Sequence, residues 1–256
     1  MSSVKKTVSK VTAGDVLKKL RASYGRKRRN TASGLRVIAI AGTEHTSELC
    51  QLIGDVLAAD GIKAALFTTH RISIDGRHKD VKGDMAVTNK RVRRAFFRNA
   101  KRAGTEWVIM EVPVEVLAGN GFFEVSVELA IITTLFGVQG VPPLANGMAE
   151  YAQLITSHNP KTVILNADDE WFEYLGRKVK NKLVTVGEAK ATYQIKGTEV
   201  VGKTLKFSVI SAKGAIVVQH THSSVDVVLP TAMAIAAARY VGCSDAAITR
   251  GIKSIG

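Results

Sequence analysis

Leu35-Arg36-Val37-Ile38-Ala39-Ile40-Ala41-Gly42-Thr43-Glu44-His45-Thr46-Ser47 is the stretch on which the fold turns. Residues 35–41 form a short run rich in β-branched and apolar side chains, the pattern of a buried strand. Gly42 ends it. Leu49, Leu52, Ile53, Val56 and Leu57 then recur at helical spacing as far as Asp60-Gly61, and a second apolar run follows at 63–67. Strand, turn, helix and strand in that order are the βαβ unit of a parallel sheet. The turn at 42–47 is therefore placed like a phosphate loop, whose backbone N–H groups and helix N-terminus meet an anion. It lacks the lysine that reaches the terminal phosphates in such loops.

Outward from this unit, residues 70–87 hold Asp75-Gly76-Arg77-His78-Lys79-Asp80, a polar loop or hairpin. The spacing predicts a helix over 89–103, strands over 107–112 and 127–135, and a helix over 147–156. A strand over 162–165 ends at Asn166-Ala167-Asp168-Asp169. Short alternating runs at 183–186, 191–196, 204–210 and 215–220 predict small antiparallel strands. An Ala-rich helix over 232–240 and a last helix N-capped by Ser244 close the chain. The fold class is α/β: a doubly wound, mainly parallel sheet of the phosphate-loop type, with helices on both faces and an antiparallel segment near 183–221. Residues 1–34 read as a basic leader with one short amphipathic helix on Val16, Leu17 and Leu20. Residues 35–256 read as one central domain.

Hydrophobic content of 46% and charged content of 23% are ordinary for a globular protein and exclude a disordered chain. No apolar run is long enough to span a membrane, and the polar N-terminus lacks the core of a signal peptide. Cys50 and Cys243 make no disulfide framework, so a reduced, cytoplasmic setting is expected. The charge is the unusual total. Lys+Arg 36 against Asp+Glu 22 gives +14, which favours anionic partners without naming one.

Four stretches in order resemble the central domain of the Mur ligases, the ATP-dependent enzymes that add amino acids to the UDP-muramoyl precursor of peptidoglycan. Val37-Ile38-Ala39-Ile40-Ala41-Gly42-Thr43 sits where that family has its phosphate loop, G-x-x-G-T-N-G-K-[ST]. Val108-Ile109-Met110-Glu111-Val112 is similar to the strand whose glutamate helps hold magnesium. Val163-Ile164-Leu165-Asn166-Ala167-Asp168-Asp169 is similar to its N-x-D-D strand end, and 232–242 to its Ala-rich helix. The resemblance covers roughly 17–256. It implies vestigial nucleotide contacts at Gly42, Thr43, Ser47, Asn166 and Asp169, and a vestigial metal ligand at Glu111.

The departures are as consistent as the matches. Ala39, Glu44, His45 and Thr46 replace the loop's first glycine, asparagine, third glycine and lysine. His45 puts a Cβ where the family needs glycine's freedom. Glu44 and Glu48 place negative charge at the helix N-terminus that would meet a phosphate. Pro113-Val114-Glu115 stands in place of a serine pair. Thr133-Thr134-Leu135 leads into Phe136-Gly137-Val138-Gln139 rather than an Asp-His pair. No lysine follows Tyr151, where the family carries a carbamylated one, and Pro230 falls where an asparagine begins the Ala-rich helix. The family's sugar-binding and amino-acid-binding domains are expected to be missing, with two walls of the active site. No residue is assigned a catalytic role.

Residues 90–102 carry a different signal. Val92, Ala95, Phe96, Ala100 and Ala103 form one helical face, and Arg91, Arg94, Arg98 and Lys101 line another. With ten Lys and Arg residues in the leader (Lys5, Lys6, Lys10, Lys18, Lys19, Arg21, Arg26, Lys27, Arg28 and Arg29), the stripe reads as a surface for a nucleic acid, another polyanion or an acidic protein, against the alternative of a solvated face. His220 and His222 alternate on a strand and read as a surface pair rather than a metal site, because a third ligand is not evident. Cys50 and Cys243 read as core.

The resulting expectation is a Mur-ligase-like central domain that has lost catalysis, needs no cofactor, and acts as a binding or scaffold protein, with a cell-wall ligase as one partner. One alternative is an ATP- and Mg-dependent acid–amino-acid ligase with residual or partner-completed activity. The other is a basic nucleic-acid-binding protein.

Overall fold

The computed structural model describes residues 32, 34–81, 89–118, 125–135, 147–221 and 224–253. In chain order these give β1 (Arg36–Ala41), α1 (Thr46–Ala59), β2 (Ala64–Phe67), β3 (Arg71–Ile74), β4 (Arg77–Asp80), α2 (Lys90–Arg102), β5 (Trp107–Glu111) and α3 (Val114–Ala118). There follow β6 (Leu129–Ile132), α4 (Gly147–Thr156), β7 (Thr162–Asn166), α5 (Phe172–Gly176) and β8 (Lys182–Gly187). The last part is β9 (Tyr193–Val201), β10 (Thr204–Ser211), β11 (Gly214–His220), α6 (Val228–Val241) and α7 (Asp245–Lys253).

Among the described residues the eleven strands join one sheet in the order β11-β10-β9-β8-β7-β6-β1-β5-β2-β3-β4. β1 lies between β5 and β6 and is parallel to both. Its side chains alternate between two cores. Ile38 and Ile40 pack with α1, α6 and α7 on one face. Val37, Ala39 and Ala41 pack with α2, α3 and α4 on the other. Residues 37–41 are fully buried, which explains why the run is apolar throughout rather than alternating. The doubly wound, mainly parallel sheet is borne out. Among the described residues no helix is long and apolar enough to cross a membrane.

Several local readings need correction. The run at 183–186 is not antiparallel: β8 pairs parallel to β7 and to the start of β9, and within 182–220 the antiparallel pairs are β9–β10 and β10–β11. Its alternation arises because Leu183 and Val184 point into different cores while Lys182 stays exposed. Residues 71–80 take the hairpin option, turning at Asp75 and Gly76. β6 is confined to Leu129–Ile132, inside the expected 127–135. The Ala-rich helix begins earlier, at Val228, and admits Pro230 because the first turn needs no N–H there. On α2 the buried line is Arg93, Phe96, Phe97 and Ala100, rotated from the expected face. His220 is buried at 4% exposure beside Phe207, not a surface residue, and His222 lies outside the described residues. So do the leader helix, most of the 26–34 loop and Phe136–Gln139. Cys50 and Cys243 are buried, as read.

Candidate functional site

The reversal of strand order at β1 opens a crevice at the carboxyl ends of β1, β5, β6 and β7, the position where open α/β sheets bind ligands. Gly42–Ser47, Glu111, Thr133–Leu135 and Asn166–Asp169 all fall there. The stripe of Arg91, Arg94, Arg98 and Lys101 is not among them: it lies on the exposed side of α2.

Gly42 has φ 153°, and a Cβ there would collide with Thr133 Oγ1. That contact is what requires glycine. Thr43 donates from both N and Oγ1 to the Thr134 carbonyl, at 2.9 and 2.8 Å. Thr133 Oγ1 returns a bond to the Glu44 carbonyl at 3.0 Å. The turn is thus stitched to the end of β6. His45 then adopts the left-handed conformation, φ 57°, as the residue preceding α1. A non-glycine residue there is strained, and its ring pairs with Glu48 Oε2 at 2.6 Å.

Glu111 is the hub of the crevice. It ends β5 at 7% exposure. Thr46 Oγ1 donates to its Oε1 at 2.7 Å. Ser47 Oγ donates to Oε2 at 2.7 Å. Thr69 donates to the same oxygen from N at 2.7 Å and from Oγ1 at 2.9 Å. Beneath it, burial first and the Glu111 charge second push the Cys50 thiol well above its ordinary value. Thr46 and Thr69 were missed as members of this group. Thr46 was read only as the missing lysine, and Thr69 lies 42 residues from Glu111 in sequence, with nothing local to mark it.

At the far end, Asp169 accepts from Leu135 N at 2.8 Å and from Trp171 N at 2.9 Å, so it ties β6 to the start of α5. Asn166 Oδ1 accepts from Asp168 N at 3.0 Å. Asp168 in turn accepts from the backbone N–H groups of Glu188 and Ala189 at 2.6 and 3.1 Å. Each of these carboxylates is engaged by main-chain donors in a turn.

Two hollows flank Glu48 and Gln51. One, of about 410 Å³, is lined by Ser47, Glu48, Arg71 and Asp80 among others. Its arginine already pairs with Asp80 at 3.1 Å. The other, about 310 Å³, is mostly apolar and lies between Leu52 of α1, His220, Val227 and Pro230. Neither is lined by a lysine among the described residues.

The family model described as the Mur ligase middle domain matches residues 40–238. No curated protein matches the chain by sequence. Among solved structures, a UDP-N-acetylmuramoyl-L-alanyl-D-glutamate–2,6-diaminopimelate ligase superposes with TM-score 0.73 at 19% identity, covering 85% of this chain and 46% of its own. MurF from Acinetobacter baumannii gives TM-score 0.67 at 16% identity, covering 88% and 47%. Folylpolyglutamate synthetase from Lactobacillus casei gives TM-score 0.62 at 14% identity, covering 97% and 68%. At these identities the likeness is one of fold. The chain spans about half the length of the two ligases.

Proposed function

This chain belongs to the Mur ligase middle-domain family, and we propose on that premise that it is a non-catalytic member working as a binding or scaffold protein. The observation that carries this reading is the occupancy of Glu111. Four protein donors converge on its two oxygens, the Ser47 hydroxyl among them. A magnesium ion held by Glu111 and Ser47 would have to compete with these donors for the carboxylate oxygens. It would also bring a triphosphate against Glu48 and the Cβ of His45, with no lysine in the 42–47 loop to meet the charge. These residues do not fit a Mg-triphosphate. Partnership with a cell-wall ligase is the role most in keeping with the family.

A second reading keeps the site alive. Gly42, Thr43, Ser47 and Glu111 stand together at one end of β1 and β5, so a partner chain supplying the lysine would restore an ATP-dependent amide-forming ligase. Thermal unfolding with and without millimolar Mg-ATP separates the two. A ligand that binds only the folded state raises Tm by mass action. The non-catalytic reading expects no rise. A rise that disappears in Ser47→Ala or Glu111→Ala would sink it.

A further inference from the structure

We propose that the exposed face of α2, continued by Arg77 and Lys79 of β4, is a binding surface for the phosphate backbone of a double-stranded nucleic acid. Lys90, Arg91, Arg94, Arg98, Lys101 and Arg102 are all exposed on α2, and the helix contains no acidic residue. Most solvated helices interleave charges of both signs, which stabilises them by i,i+4 pairing. α2 forgoes that. It is held instead by Phe96 and Phe97 in the core, with Phe96 4.8 Å from Phe67, and by the Asn89 cap. Arg91, Arg94, Arg98 and Arg102 follow each other at steps of about 5–6 Å along the axis. Guanidinium groups in such a row each offer a planar fork to a phosphate.

The hairpin extends the same face. Ile72 and Ile74 pack into the core on the α2 side. Lys79 and Arg77 sit directly opposite them across the β3–β4 ladder. Directly opposed residues share a sheet face, so both exposed cations lie on the side that carries α2. The basic leader joins at Gly34, where an added Cβ would lie 3.4 Å from Lys101 Nζ, at the end of the stripe.

The composition of the surface selects among polyanions. A helix lying in a lipid interface presents Trp, Phe or Leu beside its cations, but the phenylalanines of α2 point into the core. A protein partner needs buried apolar or aromatic anchors, and the exposed residues of α2 are Lys, Arg and Asn. Single strands are held by stacking on aromatic side chains, and neither α2 nor β4 exposes Phe, Tyr or Trp. Phosphates of a duplex need only the cations, so the binding is indifferent to sequence.

The test is fluorescence anisotropy of the full chain with a short labelled duplex, over a range of salt. The comparison is a triple variant, Arg91→Gln, Arg98→Gln and Arg102→Gln. Losing three contacts lowers the slope of log affinity against log salt by about 2.7, at about 0.9 per phosphate, and weakens binding more than tenfold at low salt. An Arg77→Gln, Lys79→Gln double variant lowers the slope by about 1.8 on the same rule. All the changed positions are exposed, so Tm stays at the parent value. Equal binding by parent and both variants would assign the affinity to the leader alone and overturn the proposal. So would tighter binding to the matching single strand, or binding to phosphatidylglycerol vesicles with none to the duplex.

Discussion

Replacing Glu111 by alanine should destabilise the protein by about 3 kcal/mol, worked from what each lost bond leaves behind. The main term is Thr69 N–H. Thr69 is 6% exposed, so its amide loses its acceptor in a place that water reaches poorly. A stranded buried donor costs about 1–3 kcal/mol. The hydroxyls of Thr46, Ser47 and Thr69 lose charge-assisted bonds but can rotate. Thr46 and Ser47 are half-buried and recover part of the loss from solvent. For a chain of this size, about 3 kcal/mol lowers Tm by about 6–12 °C. Glutamine should cost far less, about 1 kcal/mol. Its amide oxygen can replace Oε2, which receives three of the four donors, and its NH2 can face Thr46, whose hydroxyl can turn to accept. Differential scanning calorimetry of parent, Glu111→Ala and Glu111→Gln gives the three midpoints. An alanine variant as stable as the parent, or more stable, would refute the reasoning. That result is typical of a carboxylate kept for function at a cost in stability.

Other outcomes follow from particular contacts. Gly251→Ala should lower Tm despite alanine's better helix propensity. An added Cβ would lie 2.5 Å from Val56 Cα and force α7 away from α1, costing about 2 kcal/mol; a rise in Tm would contradict that packing. Stability should also fall at alkaline pH. Burial, then Asp60, push Cys243 from 9.0 up to about 11. Burial, then Glu115 and Glu150, push Tyr151 from 10.0 up to about 12. The unfolded chain therefore releases these protons first, and stability present below pH 9.0 drains away between 9.0 and about 12. Urea midpoints at stepped pH measure this, and a flat profile above pH 9 would contradict it. The same burial should leave both thiols unreactive toward a disulfide reagent at pH 7 until the protein is unfolded.

Much of the fold was legible because its central strands are buried on both faces. The run at 36–41 can only be a covered strand, and the helical spacing after Gly42 fixes the crossover. β8 was misassigned because a strand near the rim of a parallel sheet, with one exposed end, alternates just as an antiparallel one does. His220 was misread for a related reason: alternation tells which residues share a face, and the polar type suggested the wet one. At the site, the departures from the family's loop pattern were plain from the residues themselves, since His45, Thr46 and Glu48 change charge and backbone freedom in ways local sequence displays. The contacts that these residues make instead were not legible. Glu111 gains its partners from Thr69 as well as from the loop, and the turn at 42–44 gains its own from Thr133 and Thr134. Only the assembled sheet brings these together.

On the non-catalytic reading, the crevice at the end of β1 does not hold nucleotide. Equilibrium dialysis of the full chain against labelled ATP with excess magnesium tests it most directly. Equal nucleotide is expected on both sides of the membrane up to millimolar concentration. A saturable excess on the protein side, abolished by Ser47→Ala, would contradict it.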